Sequence, residues 1–113
     1  MIDVQDVYEM MDNLPRIRMN PRNEEGFCIY TGEDGSHCIA GEMLTRWGLH
    51  VPEFGTNDNK SMIFPLLRSK DWKISPDACY LLDELQREAD QGTQVEDIEA
   101  WGHAIDNVKS RNI

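Results

Sequence analysis

With 113 residues, 40% of them apolar, the chain has material for one hydrophobic core but not for two, so a single domain over residues 1 to 113 is expected. Its 21 acidic residues against 11 basic ones give a formal net charge of −10, which argues against direct nucleic-acid binding, because phosphate backbones are gripped by Lys and Arg displacing counterions. MIDVQDVYEMMDNLPR carries acids where a secretory signal needs positive charge, and no later run approaches the roughly 20 apolar residues that cross a bilayer. The expectation is a soluble cytoplasmic protein with no membrane partner.

In chain order, Val4, Val7, Tyr8, Met11 and Leu14 recur at helical spacing, with Asp3 as cap and Pro15 as stop. RIRMNPRNEEG, residues 16 to 26, has no apolar period and reads as an irregular crossing segment. FCIYT and SHCI flank the turn GEDG, and their aromatic and β-branched residues beside Gly32 and Gly35 predict a small β-hairpin. Ser36 is the expected cap of a helix running to Trp47, with Ile39, Met43, Leu44 and Trp47 on one stripe and Gly48 as a left-handed stop. Gly41 inside that helix calls for a neighbour packed close to the backbone.

LHVPEFGTNDNK reads as a loop, and SMIFPLLRS as a short helix capped by Ser61. Ser75, Pro76 and Asp77 then open a helix with Ala78, Leu81, Leu82, Leu85 and Ala89 on one face, ended by Gly92. Thr93 and Glu96 form a capping box for the last helix, with Val95, Ile98, Trp101, Ala104, Ile105 and Val108 as its stripe. The expected fold is mainly α: a compact bundle of four to five helices, with the β-hairpin inserted after the first helix and a C-terminal αα-hairpin.

Two chemical readings attach to the hairpin. Cys28, His37 and Cys38 offer three zinc-type ligands, with His50, Cys79 or His103 as a distant fourth. However, adjacent His37 and Cys38 point to different sides of a strand or helix, and no C-x-x-C pair anchors a site. Cys38 in a first helical turn also suits a thiol nucleophile, though nothing places a base beside it. Against both stands the plain reading, in which Cys28 and Cys38 are small core residues. GEDG lacks the lysine and spacing of a phosphate loop.

Nine acids occur between Asp77 and Asp106, opposed in that span only by Arg87. With both apolar stripes committed to the core, the outward faces of the αα-hairpin form an acidic surface, either simply solvated or able to steer a basic partner. Glu84, Glu88, Glu96 and Glu99 are its candidate contact residues. Trp72, between Lys70 and Lys73, is the candidate aromatic anchor.

The cysteine and tyrosine before a turn, the C-I-A-G of residues 38 to 41, the helix closing at Gly48, then Leu82, Leu85, Gln86, Asp90, Trp101 and Ala104 together resemble small proteins of actinobacterial bacteriophages (mycobacteriophage-type) and their hosts. In these, C-[IL]-[VA]-G precedes a helix, and a Gln/Asp/Trp/Ala pattern lies near the C-terminus. The likeness covers roughly residues 27 to 108 through short, permissive motifs. This chain departs from it in being more acidic and in having Ala40 where valine is commoner. The resemblance implies a phage or prophage origin and a host cytoplasm; it brings no activity, cofactor or catalytic residue. The combined expectation is a non-enzymatic acidic accessory protein that binds a host cytoplasmic protein and can inhibit it by covering its surface. A cysteine or zinc site at Cys28, His37 and Cys38, and a self-assembling structural component, remain the alternatives.

Overall fold

The chain is seen in a computed structural model, which describes residues 2–21, 37–48 and 74–111. Among them lie four helices, α1 (Val4–Asp12), α2 (Ile39–Arg46), α3 (Pro76–Gln94) and α4 (Ala100–Arg111), and no strand. The mainly α class holds. The expected β-hairpin finds no support: residues 27–36 lie outside the described residues, and His37 and Cys38 form no strand. The SMIFPLLRS helix, Cys28, His50 and Trp72 also lie outside the described residues.

Helix α1 starts as its sequence dictates. Asp3 accepts from the amides of Gln5 and Asp6, while the Asp6 side chain accepts from the Asp3 amide at 2.9 Å, closing a reciprocal capping box. Ile2 forms a parallel bridge with Ile74, and the Ser75 amide donates to the Ile2 carbonyl at 2.8 Å, so α1 and α3 begin side by side. Two positive helix ends are thereby brought together, and Asp6 and Asp77 in their first turns offset the repulsion.

Among the described residues the core is one cluster fed by all four helices. Val7 and Met11 come from α1, Ile39, Met43 and Leu44 from α2, Leu81, Leu82 and Leu85 from α3, and Trp101, Ile105 and Val108 from α4. Leu14 joins it just beyond α1. Each is the residue that helical spacing assigned to a core face.

Three helix boundaries differ from expectation. The cap of α2 is Cys38, not Ser36: Cys38 is extended and its Sγ accepts the Gly41 amide at 3.4 Å. Helix α3 does not end at Gly92 but runs to Gln94. The Asp97 amide donates to the Gly92 carbonyl at 2.9 Å and the Glu96 amide to the Thr93 carbonyl at 3.0 Å, the paired bonds of a Schellman stop. Glu96 therefore takes the left-handed position, at φ +57°, which in α2 is held by Gly48 at φ +82° as predicted.

Gly92 serves a different need. A Cβ there would stand 2.8 Å from the Ala100 Cβ and 3.1 Å from its Cα, so the glycine lets α4 start in contact with α3. Thr93 is consequently no cap for α4. Asp97 instead caps the turn that leads into α4, its Oδ1 accepting the Glu99 amide at 3.0 Å and its carbonyl the Ala100 amide at 3.0 Å, and Val95 and Ile98 leave the core stripe for the surface.

Candidate functional site

Residues 16–20, which show no period in the sequence, form a strap across the α3–α4 hairpin. The amides of Gly102 and Trp101, orphaned at the start of α4, donate to the carbonyls of Arg16 (3.1 Å) and Arg18 (3.2 Å). Even-numbered side chains turn to the protein: Arg16 pairs with Asp106 at 2.6 Å, Arg18 lies 4.6 Å over the Trp101 ring, and Asn20 is buried. Ile17, between the two arginines, is 70% exposed.

Asn20 is the hub of a buried polar knot. Its Oδ1 accepts from the Ile39 amide (3.0 Å) and from the Trp101 indole Nε1 (2.7 Å), while its Nδ2 donates to Asp90 (2.8 Å) and its backbone amide to Thr93 Oγ1 (3.0 Å). Gln86 completes the knot: Oε1 accepts the Ala40 amide at 2.8 Å and Nε2 donates to the same Asp90 oxygen at 2.7 Å. The first three amides of α2 are thus satisfied by Asn20, Gln86 and Cys38, and no buried side-chain polar atom among the described residues lacks a partner. The C-I-A-G, Gln86, Asp90 and Trp101 motifs all meet at this one point. Gln86, Asp90 and Trp101 are legible in sequence as motif letters; Asn20 carried no signal beyond its place in a polar strap.

The knot bears on the cysteine readings. Cys38 is fully buried with its sulfur turned onto the α2 terminus, and Cys79 is buried in the core. His37 is half-buried, and among the described residues no three His, Cys, Asp or Glu side chains converge on a common metal position. The described thiols stand where packing residues stand.

The acidic surface is more structured than its sequence suggests, because cations arrive from outside the span. Arg111 reaches back from the end of α4 to Glu84 (2.9 Å) and Glu88. Asp83 is buried and pairs with Arg87, Asp90 belongs to the knot, and Asp106 holds Arg16. The candidate contact acids therefore divide. Glu84 and Glu88 are engaged on α3, whereas Glu96 and Glu99 lie at the α3–α4 elbow, roughly 15 Å away along the helix at a rise of about 1.5 Å per residue.

At the elbow, His103 Nδ1 meets Asp97 Oδ2 at 2.5 Å, and its Nε2 stands 3.8 Å from Glu99. The Asp97 carboxylate, chiefly through this hydrogen bond, raises the His103 pKa above its ordinary 6.5, with Glu99 and Asp106 adding to it. The Asp97 pKa is lowered below 3.8 by the same bond and by the Glu99 amide. The imidazolium contribution to stability is therefore complete below pH 6.5 and fades as pH rises through the folded-state value; that of Asp97 is present above pH 3.8 and fades as pH falls through its lowered value. An NMR titration of the His103 ring in the intact protein should give a midpoint above 6.5; one at or below it would contradict the pairing.

Beside this pair, Val95 is 76% and Ile98 63% exposed, and Glu96 makes no ion pair among the described residues. Two branched apolar side chains, Val95 and Ile98, and three acids, Glu96, Asp97 and Glu99, thus share one turn. No helix among the described residues is long and apolar enough to cross a membrane. No protein-family model, curated protein or solved structure matches the chain.

Proposed function

We propose that this chain is a non-enzymatic acidic accessory protein of phage origin, which binds a host cytoplasmic protein and inhibits it by covering a working surface. The observation that carries the reading is the charge distribution: a net −10, with Glu96 and Glu99 exposed on the α3–α4 hairpin, whose apolar faces are filled by the core. Such a field speeds encounter with a basic surface and disfavours acidic ones. The phage origin rests on the C-I-A-G and Gln/Asp/Trp/Ala resemblance, and Trp72 remains the proposed aromatic anchor.

The test is an affinity pull-down from actinobacterial cytoplasmic extract, read by quantitative mass spectrometry. Reversal at Glu84 and Glu88 would set lysines against Arg111, so Glu96→Lys/Glu99→Lys is the cleaner control, with thermal unfolding to verify the fold. One host protein enriched about tenfold or more by the native chain, equivalent to about 1.4 kcal/mol, and lost with the reversal is the expected result. Equal capture by both proteins would refute the electrostatic mechanism, and no capture by the native chain would refute the host partner.

A further inference from the structure

We infer that the elbow between α3 and α4, residues 95–99, is a docking surface for a basic amphipathic segment of a partner protein. The inference rests on the proposed function and locates its contact. Val95 and Ile98, at 76% and 63% exposure, are three residues apart on a turn whose backbone is fixed by the Schellman bonds and by the Asp97 cap. Isolated exposed apolar residues are ordinary; here two of them bracket an unpaired acid on a fixed turn.

Glu96 sharpens the point. Its left-handed backbone is the conformation that favours glycine, and α2 uses Gly48 in the same role. A glutamate there makes no ion pair among the described residues, so its carboxylate is kept at a conformational cost without holding the fold together.

Charge complementarity selects the occupant. Arg16 and Arg18, on the neighbouring strap, are already engaged by Asp106 and Glu42, so neither offsets Glu96. Apolar side chains against Val95 and Ile98, with Lys or Arg against Glu96 and Glu99, answer the surface; a helix with leucines on one face and lysines beside them has this form. A second copy would bring Glu96 and Glu99 against their own equivalents in a two-fold contact. An anion finds no seat at the α4 terminus, because the Trp101 and Gly102 amides are bound by the strap.

The probe is a synthetic Leu/Lys peptide with leucines at helical spacing, titrated into the isotope-labelled full chain. A permuted peptide of the same composition without the stripe serves as comparison. Amide shifts should change at 95–99, and Val95→Ser/Ile98→Ser and the permuted peptide should each bind about tenfold more weakly. Glu96→Gly should weaken binding roughly threefold without lowering the unfolding temperature, which separates recognition from folding. Shifts centred on Glu84 and Glu88, or binding indifferent to the serine pair or to the permutation, would overturn the inference. So would a native dimer, seen by light scattering, that dissociates in the serine pair, since the occupant would then be a second copy.

The two proposals fail separately. Equal capture of a host protein by the native chain and by Val95→Ser/Ile98→Ser overturns the elbow and leaves the proposed function standing. Peptide binding confined to the elbow, with no host protein captured, does the reverse.

Discussion

Asn20→Ala is expected to cost the fold about 3 to 5 kcal/mol, a large fraction of the roughly 5 to 15 kcal/mol available to a domain. The substitution removes more than one contact. It strips an acceptor from the Ile39 amide and the Trp101 indole N–H, and a donor from Asp90, in a place where Asn20 itself is 4% exposed and Trp101 fully buried. Each buried group left without a partner costs about 1 to 3 kcal/mol, less than additively because they share one site. Asn20→Asp keeps the shape but sets a second carboxylate against Asp90, and should be no more stable than the alanine variant at neutral pH. Urea unfolding monitored by Trp fluorescence and circular dichroism measures both. A loss below about 1 kcal/mol for Asn20→Ala would mean that water replaces the side chain and that the knot does not hold the helices together.

The second prediction is a pair of opposite signs at the elbow. Gly92→Ala should destabilise by about 1 to 3 kcal/mol: alanine favours a helix interior by about 1 kcal/mol, but the added Cβ meets the Ala100 Cβ and Cα, backbone and near-backbone atoms that cannot swing aside. Glu96→Gly should stabilise by about 0.5 to 1 kcal/mol, the relief of a left-handed residue less the greater entropy that glycine loses on folding. Denaturation midpoints of the two variants decide it. Gly92→Ala at or above native stability, with Glu96→Gly below it, would place the helix stop elsewhere and dissolve the elbow geometry.

Helix existence was readable wherever apolar residues kept a 3.6-residue period and a cap stood in front, as with Asp3 before α1 and Ser75–Pro76 before α3. The boundary at Gly92 was misread because glycine answers two different needs, a left-handed backbone and a close approach, and a sequence does not say which. Taking it as the stop moved the start of α4 forward by about two turns and drew Val95 and Ile98 into a core they do not join. The Thr93 and Glu96 capping-box pattern reinforced the error.

The candidate acids were nameable from composition, but their division was not. Arg111 and Arg16 lie outside the Asp77 to Asp106 span and reach it only because α4 folds back on α3 and the strap crosses both. Asn20 was hidden for the same reason: one asparagine in a polar segment looks like any other until the Ile39 amide and an indole arrive from 19 and 81 residues away.

Composition alone determined that this protein is acidic, and local periodicity and capping chemistry, which act over a turn or two, were enough to read from the sequence that the described residues are mainly helical and end in a helical hairpin. That Gly92 serves the contact between α3 and α4, that Glu84 and Glu88 are paired, and that Asn20 locks α2 in place were decided only in the tertiary structure. Those outcomes depend on contacts between residues far apart in the chain, and a periodic pattern carries no information about such distances.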